Sequence, residues 1–283
     1  MCLVFVSLGF QKVYGQFDLV MKGARQLRWY LAVSEMQEEP SIEDLWTAAP
    51  SSSRIFEPKQ KERVPDVVGR YLRHAIGPGT VLASAVRLRM HGEIKLKRWY
   101  PFSAEQVICW ERGMIWRAAV RMYGLSIRGG DAFIDGHGYS RWKLFGVVPI
   151  VDASGPDIDR SSAGRVNIES IWLPSVLCSD GVSWTTPDSN HLYADFTAHN
   201  ERAQIDYVVD ERGALKSVCM PRWGNPNSAS FGYVSCGSCV AEEGRFGGYS
   251  IPTRMRIGWH FGTERFDSEG EFLRLVIDDA VYR

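Results

Sequence analysis

The residues best suited to chemistry lie in one short run, Arg165-Val-Asn-Ile-Glu169-Ser-Ile-Trp172-Leu-Pro174. On a helix, Arg165 and Glu169 are i and i+4 and can pair. Trp172 follows three residues later on the same face. If that face looks into an enclosed space, burial would raise the Glu169 carboxyl toward neutrality and make it a candidate acid or base. Arg165 could equally hold an anionic head group, with the indole packed beside it. The structural alternative is a helix-surface ion pair next to a packing tryptophan, worth under about 1 kcal/mol.

The partners such a site would need are spread along the chain. Arg165 and Arg222 are candidate charge stabilisers, and His137 and Asp188 are candidate partners for Glu169. Trp116, Trp142, Trp184, Trp223 and Trp259 either line a ligand cavity or fill a large core, since aromatics bury large areas in both cases. Asp131, Asp135 and His137 lie close together, but Asp135-Gly136 is hairpin-turn chemistry. His191, Asp195 and His199 recur every fourth residue within an alternating stretch, which places them on the wet face of a strand. Cys236-Gly-Ser-Cys239 is an isolated C-x-x-C. A structural zinc site wants a second pair, and a redox pair wants a helix N-terminus, so chance spacing is the simplest reading.

The established catalytic patterns G-x-S-x-G, H-E-x-x-H, the P-loop and G-x-G-x-x-G are absent. Gly136-His137-Gly138 has Arg141 where a third glycine would stand. No cofactor and no metal site is expected.

Bulk properties narrow the class. Of 283 residues, 45% are hydrophobic, enough for a substantial core; Lys+Arg and Asp+Glu are both 33. Zero net charge argues against a nucleic-acid domain, which shows a basic excess or stripe. No stretch approaches the eighteen or so apolar residues of a membrane span. The opening MCLVFVSLGF is short, has no Lys or Arg before it and no small-residue cleavage site after it, so it reads as no secretory signal and the chain as cytoplasmic. Six scattered cysteines in a chain this long do not suggest a disulfide framework.

The elements that would position these residues change period along the chain. Gln16 to Glu39 has helical spacing and is stopped by Pro40. Ser41, with Asp44 three residues on, caps a short helix through Trp46. Ala49 to Arg63 reads as a linker. A further helix opens at Pro65, with Val67, Val68, Tyr71 and Leu72 on its face, and ends at Gly77-Pro78-Gly79. From Thr80 the period becomes two. Val86-Leu88-Met90, Met114 to Met122, Leu192 to Ala198, Ala203 to Val209, Met255 to Phe261 and Leu273 to Val281 alternate, and one strand is expected over Tyr139 to Val151. About ten strands joined mostly by short turns make an antiparallel meander that must curl or be covered. Ser161-Ser162 could cap a helix over Ser162 to Trp172, inserted midway as the natural cover. The expected fold is therefore α+β: a large curved antiparallel sheet, a half-barrel-like meander with N-terminal helices and an inserted helix over its concave face. Residues 1–63 form a helical segment and linker, and 64–283 the β-rich main domain.

Several runs together resemble a bacterial family of uncharacterised proteins, a domain of unknown function. They are Val64-Pro65 with Arg70-Tyr71-Leu72, Trp99 with Pro101 to Gln106, Asp135-Gly-His-Gly138, and Arg165, Glu169 and Trp172 to Ser175. Trp184, Asp188, Arg222 to Pro226, Gly248 to Pro252 and Gly258-Trp259 complete the series over Val64 to Arg283. The Cys-Gly-Ser-Cys run is not part of that pattern. The resemblance brings no reaction. By architecture the strand–helix–strand order looks like the half-barrel of bacterial lipoprotein carriers, which implies an acyl chain in the concavity; fold alone does not fix function.

Three readings follow. The first is a module holding an apolar or lipid-like ligand in the concavity, bound by Arg165, Glu169, Trp172, Trp116, Trp184 and Arg222. The second is an enzyme, possibly a hydrolase in class, with Glu169 as acid or base beside Arg165 and with His137 or Asp188 as partner. The third is a scaffold with a solid core. Oligomeric state is not legible.

Overall fold

The period-two stretches become strands of one sheet because each has an apolar face to bury and a wetter face to leave outside. The computed structural model describes residues 41–58, 64–226 and 230–283. The helix expected over Gln16 to Glu39 lies outside the described residues. The strands run β1 Ala85–Lys95, β2 Trp99–Cys109, β3 Gly113–Met122, β4 Leu125–Ile134, β5 His137–Leu144 and β6 Val148–Ser154, then β7 Ser183–Thr185 and β8 His191–Ala198. β9 Glu201–Val209, β10 Leu215–Gly224, β11 Gly232–Phe246, β12 Tyr249–Trp259 and β13 Glu271–Tyr282 complete the set. The helices are α1 Ile42–Thr47, α2 Asp66–Ala75 and α3 Pro156–Ile168.

All 13 strands form a single antiparallel sheet in the order β6-β5-β4-β3-β2-β1-β13-β12-β11-β10-β9-β8-β7. Two meanders are thus sewn together by the first and last strands, with Val86 opposite Tyr282 and Ile94 opposite Leu273. The sheet curls until its halves touch. The His199 ring, after β8, packs edge-on to Phe133 of β4 at 5.2 Å, and Trp110, after β2, lies 6.0 Å from Phe196 of β8. The two edge strands, β6 and β7, are consecutive in sequence. The chain between them, α3 and two 3-10 turns over Glu169–Trp172 and Pro174–Cys178, crosses the concave face.

More strands form than the roughly ten expected, because one hairpin carries a weak turn signal and a strand beside another, β11, has no clean alternation. The expected strand Tyr139 to Val151 breaks at Phe145-Gly146, both at positive φ, and a second turn at Gly247-Gly248 separates β11 from β12. Phenylalanine at positive φ is not a recognised turn residue. The strand expected from Met255 begins earlier, at Tyr249, and β10 runs through Arg222 and Trp223 to Gly224.

The crossing helix also differs. It starts at Pro156 after Gly155 (φ 116) rather than at Ser162. Proline at the first helical position and a glycine before it supply the start. Ser161 and Ser162 lie inside the helix, where their small side chains let it sit close to the sheet.

The helices cover both faces. Ser41 Oγ accepts from the Asp44 amide at 2.9 Å, the expected cap of α1. Leu45 of α1 then packs on a convex-face cluster of Ala85, Val107, Cys109, Ile115 and Ala132. On the concave side α2 buries Val68, Tyr71 and Leu72, with Tyr71 5.5 Å from the Tyr207 ring of β9. The stretch read as linker is held to the sheet where it is described: Phe56 is buried and its amide donates to the Thr80 carbonyl at 2.8 Å. Among the described residues, no helix is long and apolar enough to cross a membrane.

Candidate functional site

One row of directly opposed residues crosses the concave face: Ser140 of β5, Asp131 of β4, Trp116 of β3, Gln106 of β2 and Leu88 of β1. Opposed residues share a face, so this row is fixed by register alone. It sets polar side chains either side of an indole, on the face where alternation places apolar ones.

The crossing segment matches the row. Arg165 Nη1 donates to Asp131 Oδ2 at 2.8 Å, and Arg165 Nε donates to Glu169 Oε1 at 2.7 Å. Gln106 Nε2 donates to Glu169 Oε2 at 2.5 Å, and Ser140 Oγ donates to Asp131 Oδ1 at 2.6 Å. The Arg165 guanidinium sits 5.3 Å from the centre of the Trp116 ring, in cation–π range. All six side chains are buried. The Arg165–Glu169 pair expected from i,i+4 spacing is present, but as half of a buried network and not on a helix surface. Glu169 lies in the 3-10 turn that continues α3.

Arg222 reaches the same space from β10 and is only 2% exposed. Its Nε donates to the Ser161 carbonyl at 3.0 Å, Nη2 lies 3.5 Å from Ser161 Oγ, and Nη1 is 4.0 Å from Cys236 Sγ. The guanidinium stacks 5.2 Å from the centre of the Trp259 ring. Arg222 has no carboxylate partner among the described residues. A buried cation is normally paired, because desolvation of a lone charge is expensive.

Between the two arginines a cavity of about 50 Å³ remains, walled by Met90, Trp116, Glu169 and Trp172 and by aliphatic side chains of β12 and β13. That admits only a few water-sized groups, whereas pockets for whole small molecules run to roughly 300–1,000 Å³. Gln106 Oε1 on its wall is buried without a hydrogen-bond partner.

The other residues expected at a site fall as follows. Trp172 lines the cavity and its Nε1 donates to the Pro252 carbonyl at 3.2 Å. Trp184 is half-buried on the edge strand β7, 6.4 Å from the Tyr207 ring and away from the cavity walls. His137 is exposed at the start of β5, beyond the Asp135-Gly136 turn. Asp188 is exposed too; its Oδ1 accepts from the Asn190 and His191 amides at 2.8 Å each, which hold its carboxyl below the usual range. Neither joins the network around Glu169. Asp135 pairs with Arg112 outside the sheet, while Asp131 points inward. His199 leaves the wet face expected for it: burial between Trp110 and Phe133 lowers its pKa.

Cys236 and Cys239 sit three apart on a strand, so they face opposite sides of β11; Cys236 is buried at the cavity and burial raises the Cys239 thiol. Among the described residues no group of His, Cys, Asp and Glu has metal-site geometry.

No sequence spacing marks Asp131, Gln106 and Ser140 as one site. The available signal was parity: each occupies an inward position in a period-two pattern, and a polar residue there is the informative exception.

A family profile described as a family of unknown function (DUF6920) matches residues 62–282. No curated protein matches the chain. Among solved structures, the chain is similar to a candidate outer membrane lipoprotein-sorting protein domain from Vibrio parahaemolyticus. The identity is 9%, with 71% of this chain and 86% of that one covered and a TM-score of 0.37. It is also similar to a LolA superfamily protein from Nitrosomonas europaea, at 10% identity, with 77% and 92% covered and a TM-score of 0.39.

Proposed function

The chain belongs to this family of unknown function, and from its geometry we propose that it is a binding module for an apolar molecule with an anionic head, held between α3 and the concave sheet. The observation that carries the reading is Arg222, a buried guanidinium with no carboxylate partner among the described residues, on the wall of an otherwise largely apolar cavity. Arg165 is already engaged by two carboxylates, so the head group goes to Arg222 and the Arg165 network acts as a fixed polar wall. Trp116 and Trp172 supply apolar surface. The cavity takes the head and the first carbons; a longer tail is admitted when α3 lifts. The 3-10 turn after Ile168 is the pliable part of that cover, since i→i+3 bonds have poorer geometry than α-helical ones.

A second reading, a scaffold with no ligand, is favoured by the small volume of the cavity. The enzyme reading would need His137 or Asp188 within hydrogen-bond reach of Glu169. Both are exposed, and Glu169 has each oxygen engaged by Arg165 or Gln106. A cytoplasmic setting is supported by the five described cysteines, all of which are free thiols.

Native mass spectrometry of gently purified protein, followed by titration with palmitate and with hexadecanol, tests the proposal. An added mass on the native protein, or palmitate binding that exceeds hexadecanol binding and is lost in Arg222→Met, is expected. No added mass and no binding of either probe leaves the scaffold.

A further inference from the structure

The sheet's charge is unevenly placed. The chain has zero net charge, yet the stretches 94–104, 113–130 and 136–151 carry three, three and two Lys or Arg and not one Asp or Glu. These stretches build three neighbouring hairpins, β1–β2, β3–β4 and β5–β6, whose turns lie along one rim of the sheet. The Phe145 amide donates to the Ser126 carbonyl at 2.9 Å, tying the second and third turns together, and Tyr100 and Tyr123 stack edge-on at 5.6 Å, tying the first to the second.

The tips of that rim are apolar and out in solvent. Tyr123 is 65% exposed, Phe145 58% and Val147 47%. Tyr123 (φ 53) and Phe145 (φ 55) each precede a glycine, in the left-handed conformation. Bulky residues are genuine outliers there, and Asn or Asp is the ordinary choice. The same chain uses Asp135 (φ 50) in the turn at the opposite end of β4. Two aromatics therefore stand mostly in solvent at positions where local backbone energetics disfavour them. Such an outlier is a pointer to function.

We propose that this rim docks on an anionic lipid bilayer, with Tyr123, Phe145 and Val147 entering the head-group region and the surrounding Lys and Arg meeting lipid phosphates. The charge fits: basic residues near a membrane surface are attracted to anionic lipids, and aromatic side chains favour the boundary between water and hydrocarbon. The shape fits too. The apolar groups stand on two tips, Tyr123 on one and Phe145 with Val147 on the other, and do not make one flat patch, so each tip can enter a fluid interface as its own wedge, whereas an acidic protein would have to present a matching pocket to each. The proposal goes beyond the cavity reading and does not depend on it.

Co-sedimentation of the full chain with vesicles decides it. Vesicles of phosphatidylcholine mixed with phosphatidylglycerol are expected to bind roughly tenfold more protein than phosphatidylcholine alone. The difference should fade near ~1 M salt, where the screening length falls to about 3 Å. Asn tolerates positive φ, so the double variant Tyr123→Asn/Phe145→Asn is expected to keep or raise the melting temperature while losing roughly tenfold in vesicle binding. Arg121→Glu/Arg128→Glu is expected to lose the preference for phosphatidylglycerol. Three results would overturn the proposal. They are equal binding to both vesicle types, full binding by the asparagine variant, or retention on immobilised polyglutamate without vesicle binding, which would point to an acidic protein.

Discussion

Arg165 on α3 and Asp131 on β4 form an ion pair at 2.8 Å with both side chains buried, so the crossing helix is fastened to the sheet where water does not reach. Removing one partner strands the others. Arg165→Met leaves Asp131 and Glu169 buried beside each other without their shared cation and is expected to cost about 3–5 kcal/mol. Replacing all three, with Asp131→Leu and Glu169→Leu added, is expected to recover much of that loss, because well-packed apolar side chains often match a buried ionic network. Urea midpoints of the wild type, the single variant and the triple variant test both statements.

Arg222 should behave oppositely. It has no carboxylate partner among the described residues to leave behind, so Arg222→Met is expected to be neutral or stabilising by about 1–3 kcal/mol. Methionine also keeps an unbranched side chain over the Trp259 ring. Thermal melts of the ligand-free protein give the sign. A loss comparable to that of Arg165→Met would mean the guanidinium holds the fold rather than awaiting a ligand.

Gly138 marks a close approach of α3 to the sheet. A Cβ there would lie 2.8 Å from both the Ile158 carbonyl oxygen and Ser162 Oγ. Gly138→Ala is expected to push the helix outward at a cost of about 1–3 kcal/mol. Faster amide exchange in α3 than in the outer strands would locate the damage.

Glu271 gives the fold an acid limit. Burial opposes its ionisation, but hydrogen bonds from Arg256 and Arg274 prevail and hold its carboxyl at about 2, against an ordinary 4.5. A carboxyl depressed in the folded state contributes stability above its unfolded value and loses it as pH falls through the folded one. The contribution is therefore full above about pH 5 and gone only below about pH 2. The two arginines are partly exposed and solvent screens them, so about 1–2 kcal/mol is expected. Glu271→Gln should be less stable than wild type at neutral pH, and the gap should close on acidification. A gap unchanged at low pH would assign the loss to packing.

Alternation gave away most of this fold, because a strand with one buried face writes its period into the sequence. Val86-Leu88-Met90 and Leu192-Ala194-Phe196 needed nothing else. Phe145-Gly146 hid a hairpin because its first residue is one that turns normally avoid. Pro156 was a sufficient helix start that two later serines obscured. At the site, Arg165, Glu169 and Trp172 announced themselves by helical spacing. Asp131 and Gln106 could not, since their meeting depends on the register of β2, β3 and β4 and on where α3 comes to rest. No local pattern encodes that distance. His137 and Asp188 look like site residues by type alone, and turn geometry accounts for both.

The seam between β1 and β13 also sets a clock. Val86 of β1 meets Tyr282 of β13, so during synthesis β1 must wait, one side unpaired, until β13 has emerged. Pairings this distant in sequence form slowly, and an open strand edge invites other chains in the meantime. The half from β1 to β6 can assemble early as a meander, whereas the two halves join only once β13 has been made.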